Sequence, residues 1–150
     1  RENLPYTYKS IDVVSSSAQI NDKVINTSIG LEVYENIMKN ANVDRNKAKV
    51  LYNSALNNNK LTTSQAEGIY KLAGYSEIKA KELAKLTSGT EKGSYFKLMA
   101  KAEESIINQY KKKNIVEKYC FRLHDSLIVE SERDVFPLEV NGVKFSYESF

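Results

Sequence analysis

Cysteine and histidine are nearly absent from the sequence, since Cys120 and His124 are the only ones among 150 residues. One cysteine excludes an internal disulfide framework and a cysteine-rich zinc site, and one histidine excludes a histidine-rich metallohydrolase. The two lie four residues apart in a run that reads as a strand. Their side chains are therefore ~13 Å apart, too far for a thiol nucleophile and its base. A glycine-rich phosphate loop of the Walker type is also missing.

Long apolar runs are missing as well. No stretch approaches the ~20 apolar residues needed to cross a bilayer, so we expect no membrane partner. The composition, 41% hydrophobic and 27% charged, is that of a globular protein, and the length suits a single domain, residues 1–150. A net charge of +3 permits binding to a polyanion.

Two features bear on where the protein works. The low cysteine content and the lack of a charged-then-apolar leader predict an intracellular protein. The sequence begins at Arg1 without a methionine, which fits a processed piece or a segment of a longer protein.

Hydrophobic patterning predicts an α+β fold, with strands near both ends of the chain and helices between them. Residues 6–14 alternate roughly between apolar and polar, and strand patterns return within 119–147, where Asn141-Gly142 is typical of a hairpin turn. The helical region spans about 17–112. Its helices are expected after the serines of "SSSAQI", at about 31–40, from a cap at Asp44, from Ser64 to Gly74, from a cap at Ser76 to about Thr87, and at about 94–112.

Two aspartates occupy comparable positions. Asp12 ends the first strand, and Asp125 lies at a turn between two late strands. If these strands are neighbours in one sheet, both carboxylates reach the same edge, where hard oxygen ligands can hold Mg²⁺ for two-metal phosphoryl transfer. A lone aspartate at a strand end is more often a cap or turn residue. The interpretation as a cap or turn residue fits Asp125 less well, because "FRL" and "LIV" flank it with apolar residues, and a charge is costly in apolar surroundings.

Two cations suit phosphate binding. Arg45 and Lys49 lie one turn apart in the helix "DRNKAKVLYNSAL", at the edge of its apolar stripe beside Tyr52 and Leu56. We expect them to face an interior cleft, where an arginine can bind a phosphate in bidentate fashion. The alternative is a solvated basic fringe, which is common on amphipathic helices.

Three motifs, in this order, resemble the palm and fingers of family A DNA polymerases and single-subunit, phage-type RNA polymerases. "IDVVSSSAQI" is similar to their first motif, "DRNKAKVLYNSAL" to the Arg-x-x-x-Lys helix of their second, and "RLHDSLIV" to the His-Asp hairpin of their third. The resemblance covers most of residues 8–130. It implies an antiparallel palm-like sheet with a helical, fingers-like insertion.

The resemblance also implies roles for individual residues. Asp12 and Asp125 are implied catalytic ligands of two Mg²⁺ ions, with the backbone carbonyl of Val13 as a further ligand. His124 is implied as a catalytic residue near the primer end. The residues implied in nucleotide binding are Arg45, Lys49 and Tyr52.

On this resemblance we expect a template-directed nucleotidyltransferase, similar to a family A DNA polymerase of phage or plasmid type. Its expected partners are a nucleic-acid template and primer, nucleoside triphosphates, and other segments of a larger polymerase. Its expected location is the cytoplasm of a bacterial or virus-infected cell. The chain departs from the family at Asn57-Asn58, where the second motif has Tyr-Gly, and its first motif, with Gln19, is closer to the RNA polymerases.

Three alternative interpretations of the sequence remain open. In the first, the chain is the catalytic segment of a single-subunit RNA polymerase. In the second, it is a non-catalytic nucleic-acid-binding or assembly domain of palm shape. In the third, it is a structural segment of a larger complex and has no activity of its own.

Overall fold

A computed structural model describes residues 7–57, 61–88, 92–123 and 125–150. Within these ranges the chain forms an antiparallel sheet and a set of α-helices, which confirms the predicted α+β class. Two compact units are present: Arg1–Ser16 with Ala102–Phe150, and Ser17–Lys101. None of the helices in the described part of the chain has the length and apolar character required to cross a membrane.

The helices follow the predicted pattern closely. They are α1 (Ser16–Ile25), α2 (Val33–Ala41), α3 (Arg45–Asn57), α4 (Thr63–Leu72), α5 (Glu77–Leu86) and α6 (Lys92–Asn114), with a 3-10 turn (Gly30–Glu32) before α2. Residues 102–114 of α6 belong to the first unit and the earlier ones to the second.

The sheet belongs to the first unit. Its strands are β1 (Thr7–Val13), β2 (Cys120–Leu123), β3 (Ser126–Ser131), β4 (Glu139–Val140) and β5 (Val143–Ser149). Their order is β2-β3-β1-β5-β4, and every neighbouring pair is antiparallel. The first strand of the chain therefore lies at the centre, between β3 and β5. This order brings residues from the two ends of the chain into direct contact.

Burial along β3 explains why its sequence is a continuous apolar run. Leu127, Ile128 and Val129 are all buried, although consecutive strand residues point to opposite faces. Both faces of the sheet are thus covered at this strand, as expected for an interior strand. On one face, Tyr110 of α6 packs against Phe145 with ring centroids 4.4 Å apart.

The turn between β4 and β5 is the predicted hairpin. Asn141 and Gly142 both have positive φ, 51° and 82°. A type I′ turn requires this conformation at its two central residues, and asparagine and glycine adopt it with least strain.

The second unit has a tyrosine-rich core in which a buried asparagine bonds to several tyrosine hydroxyls. Asn21 of α1 is fully buried, and its side-chain amide donates to the hydroxyls of Tyr52 (3.0 Å) and Tyr75 (3.3 Å). Its carbonyl oxygen accepts a hydrogen bond from Tyr95 (2.7 Å). Burial raises the pKa of Tyr75 to about 12, so its hydroxyl stays protonated at neutral pH. Asn21 thus joins α1, α3 and α6 within the unit.

Candidate active site

The pairing of β1 with β3 brings the backbone positions of the two candidate aspartates close together. Asp12 lies directly opposite Ser126, the residue that follows Asp125. Opposed Cα atoms in an antiparallel pair are ~4.5–5.5 Å apart and consecutive ones ~3.8 Å, so the Cα atoms of Asp12 and Asp125 are separated by no more than about 9 Å. The condition set from the sequence, that these strands are neighbours, is met.

Two serines hold the Asp12 carboxylate. Ser126 on β3 donates a hydrogen bond to Asp12 Oδ1, and Ser10 on β1 donates to Asp12 Oδ2 over 3.2 Å. Ser10 precedes Asp12 by two residues, and Ser126 is its cross-strand partner, so all three side chains lie on one face of the sheet. Asp12 is half-buried.

The surroundings of Asp125 are more open and contain an ion pair. Asp125 is exposed in the turn between β2 and β3. Nearby, Arg122 on β2 donates a hydrogen bond to the carboxylate of Glu103 on α6. Burial raises the pKa of Glu103, and the negative charge of Asp125 raises it further, although Arg122 opposes both. Asp125 therefore contributes negative potential at this end of the sheet.

Val13, whose backbone carbonyl is the further implied metal ligand, is the last residue of β1. Its side chain is buried opposite Phe145. Its backbone follows Asp12 directly. Ser15, two residues on, adopts a φ of 47°, in the left-handed region where a residue other than glycine is strained. Backbone strain of this kind is often found at functional sites. His124 lies outside the described residues.

Arg45 and Lys49 lie together on α3 in the second unit. The Arg45 guanidinium is 5.3 Å and the Lys49 ammonium 5.9 Å from the centroid of the Tyr34 ring. Arg45 also forms an ion pair with Glu35 at 3.5 Å. Both cations are exposed, which differs from the expected placement in an interior cleft. Two positive charges one turn apart at an accessible surface remain suited to a polyanionic ligand.

Tyr52 lies on the same helix, and its side chain points into the core. It is fully buried, and its hydroxyl lies 2.7 Å from that of Tyr75. Its ring packs edge-to-face with those of Tyr34 and Tyr70. The side chain implied in nucleotide binding is therefore occupied by core contacts that hold α3 in place.

Neither a larger cluster of metal-ligating side chains nor a reactive thiol is evident in the described part of the chain. Within those ranges, no group of three or more Asp, Glu, His or Cys side chains is arranged to hold a metal ion. Cys120 is half-buried, and burial raises the pKa of its thiol, which disfavours the reactive thiolate. The pair of Asp12 and Asp125 is thus the candidate that the fold positions best.

Comparisons of the chain with protein-family models, curated proteins and solved structures found no match. The assignment of function consequently depends on the chain's own residues and their geometry.

The sequence did not single out the serines or the glutamate at this edge. Ser10 and Ser126 act through a hydrogen bond to Asp12, and Glu103 through Arg122 and Asp125. The alternation of β1 already puts Ser10 on the face of Asp12. The contribution of Ser126 follows only from the register between strands that are more than 100 residues apart in the chain.

Proposed function

We propose that the protein is a template-directed nucleotidyltransferase, with Asp12 and Asp125 as the ligands of two Mg²⁺ ions. The observation that carries the proposal is the β1–β3 register, in which Asp12 is opposite Ser126 and hence beside Asp125. The first and third motifs are separated by more than 100 residues in sequence. Their meeting at one end of one sheet is what a shared metal centre needs.

The donor set at this edge fits Mg²⁺. Asp12 and Asp125 supply hard carboxylate oxygens, and the backbone of Val13 follows Asp12 directly; Mg²⁺ prefers such ligands, completed by water and substrate phosphates. When bound, the two ions would stabilise the attacking and leaving oxygens of an in-line displacement at a phosphoryl group. The chain's own contribution is orientation: Ser10 and Ser126 fix the Asp12 carboxylate. His124 is proposed to lie near the primer end.

In the proposal, Arg45 and Lys49 bind the triphosphate of the incoming nucleotide. Both are exposed and one helical turn apart, and both contact the same Tyr34 ring. An arginine can bind two phosphate oxygens at once, whereas a lysine acts as a point charge. Tyr52 contributes by anchoring α3 in the core, because its ring and hydroxyl are buried.

The proposed partners follow from this chemistry. They are a nucleic-acid template with its primer, nucleoside triphosphates, and further segments or chains of a larger polymerase. The proposed setting is the cytoplasm of a bacterial or virus-infected cell, in a phage or another mobile element. The palm-like character of the sheet belongs to the same proposal.

A second candidate function is a non-catalytic nucleic-acid-binding or assembly domain. Two observations favour it: Asn57-Asn58 replaces the Tyr-Gly pair of the second motif, and the described residues contain no group of three metal-ligating side chains. Such a domain would bind nucleic acid in a salt-dependent manner and would not need both carboxylates.

The test is Mg²⁺-dependent nucleotide incorporation, measured on a primed template and on an unprimed one. The proteins compared are the wild type, Asp125→Asn and a control, Asp134→Asn, which makes the same change at an exposed loop residue beyond the other end of β3. We expect Asp125→Asn to reduce the rate at least about 100-fold, since loss of a metal ligand removes transition-state stabilisation.

Asp134→Asn should retain the wild-type rate. Full activity in Asp125→Asn would show that Asp125 is not a catalytic ligand. If the folded wild type binds the template without incorporating any nucleotide, the non-catalytic function replaces the proposed one.

A further inference from the structure

Ser126 has a special position between the two candidate metal ligands. Its backbone is joined directly to Asp125, and its hydroxyl donates to Oδ1 of Asp12. It is also the first residue of β3, directly opposite Asp12. One side chain therefore ties the turn that carries Asp125 to the strand that carries Asp12.

The hydrogen bonds at Asp12 leave room for metal ions. Each carboxylate oxygen has two lone pairs. Ser126 occupies one acceptor site on Oδ1, and Ser10 occupies one on Oδ2. Among the described residues no other donor is bonded to either oxygen, so both oxygens of Asp12 can still act as ligands while the two hydroxyls fix the carboxylate plane.

Without these donors the carboxylate would be less well oriented. An aspartate side chain rotates among staggered χ1 positions, and its terminal torsion is broad. Hydroxyl groups that bond to a metal ligand restrict this motion. Their loss typically lowers metal affinity ~10–100-fold.

We propose that Ser126 is a positioning residue of the metal centre, which sets the metal affinity of the site by holding Asp12 beside Asp125. This inference rests on the proposed function, because it assumes that the two aspartates bind metal. It adds a residue whose effect is exerted through Asp12.

Ser146 provides a matched control. It lies opposite Asp12 on the other neighbouring strand, β5, and is exposed. In the described part of the chain Asp12 accepts its hydrogen bonds from Ser10 and Ser126, and Ser146 donates none to it. Loss of the Ser146 hydroxyl therefore removes the same chemical group at the same distance along the sheet without touching the carboxylate.

The experiment is a calorimetric titration of the full chain with Mn²⁺ alone, which replaces Mg²⁺ at oxygen sites. The variants are Ser126→Ala, Ser146→Ala, and the isosteric pair Ser126→Thr and Ser126→Val, which differ from each other only in the hydroxyl. Thermal unfolding of each variant is recorded in parallel, so that only folded protein is compared.

We expect Ser126→Ala and Ser126→Val to weaken Mn²⁺ binding about tenfold or more. Ser126→Thr keeps the hydroxyl and should remain within about threefold of the wild type, as should Ser146→Ala. If Ser126 only filled space in the fold, the Ser126→Thr and Ser126→Val variants would bind Mn²⁺ equally well.

Two outcomes contradict the inference in different ways. If the wild type binds Mn²⁺ and folded Ser126→Val binds it equally well, Ser126 does not position Asp12, and the proposed function is unaffected. If the folded wild type binds no Mn²⁺, the metal centre itself is wrong, and the role of Ser126 is overturned with it.

Discussion

Ser126 and Asp12 lie directly opposite each other on neighbouring antiparallel strands, and the serine hydroxyl donates a hydrogen bond to the aspartate carboxylate. The two residues come from opposite ends of the chain. Their pairing brings Asp125 to the same end of the sheet. The proposed metal centre depends on this relationship. The contacts in the rest of the fold lead to further predictions about stability and nucleotide use.

Removing the side chain of Asn21 should destabilise the second unit strongly. Asn21→Ala leaves the buried hydroxyls of Tyr52, Tyr75 and Tyr95 without their shared partner. We expect a loss of about 2–4 kcal/mol in the free energy of unfolding, measured by urea denaturation. Asn46→Ala is the control, because Asn46 is exposed on α3 and alanine favours a helix. Equal effects of both changes would contradict the role of Asn21.

A methyl group added at Gly30 should also be costly. A Cβ atom there would lie 2.5 Å from Oδ2 of Asp22 and 2.8 Å from the carbonyl oxygen of Ala18. Asp22 already accepts a hydrogen bond from the Gly30 amide at 2.7 Å, so it cannot move away freely. Gly30→Ala should cost about 1–3 kcal/mol.

The matched substitution is Gly68→Ala in the middle of α4, where a Cβ atom meets nothing within 4 Å. It should stabilise the protein by about 0.5–1 kcal/mol. Thermal unfolding measures both variants, and a stabilising Gly30→Ala would mean that the backbone at Gly30 is packed differently against Ala18 and Asp22.

The stability contribution of Glu117 should depend on pH. Burial acts to raise the pKa of its carboxyl, but hydrogen bonds from Ser131 and Arg133 outweigh it, and the pKa lies below its usual value. A carboxyl with a lowered folded-state pKa stabilises the protein above its unfolded pKa of ~4.5, and this stability is lost as the pH falls through the folded pKa.

Glu117→Gln should therefore be destabilised by about 1–3 kcal/mol at pH 7. The difference from wild type should shrink as the pH falls below about 4.5. Urea denaturation at several pH values measures it, with Glu132→Gln, an exposed neighbour, as the control. A difference that grows in acid would contradict the assignment.

Neutralising the two cations of α3 should weaken nucleotide use and leave stability intact. Arg45→Gln and Lys49→Gln each remove an exposed charge, and we expect each to raise the KM for nucleoside triphosphate about tenfold, since each removes a charge-assisted contact with phosphate. Steady-state incorporation kinetics provide the measurement. Lys47→Gln, exposed on the same helix, should behave as wild type; an equal effect there would indicate a general electrostatic field and no specific contact.

The secondary structure was predictable because its signals are local. Asp44 and Ser76 cap their helices through bonds to the backbone three residues on, as the sequence indicates. The helix expected from Ser64 begins slightly earlier, because Thr62 and Gln65 form its capping box. Several neighbouring polar residues can serve as the N-cap of this helix, and the sequence alone does not show which of them does so.

The contacts that assemble the site were harder to predict, because they depend on which distant residues meet. The positions of Asp12 and Asp125 at strand ends were visible in the sequence, but the serine that joins them was not. Tyr52 was placed beside the cations by helical periodicity, whereas its burial is set by Asn21 and Tyr75 from other elements. A polar residue such as Asn21 carries no apolar signal, so pattern analysis misses it.

The most direct test of the central claim is a crystal structure grown with Mn²⁺, in which anomalous scattering locates the ions. We predict two peaks ~3.5–4 Å apart, with carboxylate oxygens of both Asp12 and Asp125 as ligands. Peaks bound by only one of these aspartates, or none within reach of either at saturating Mn²⁺, would contradict a shared metal centre.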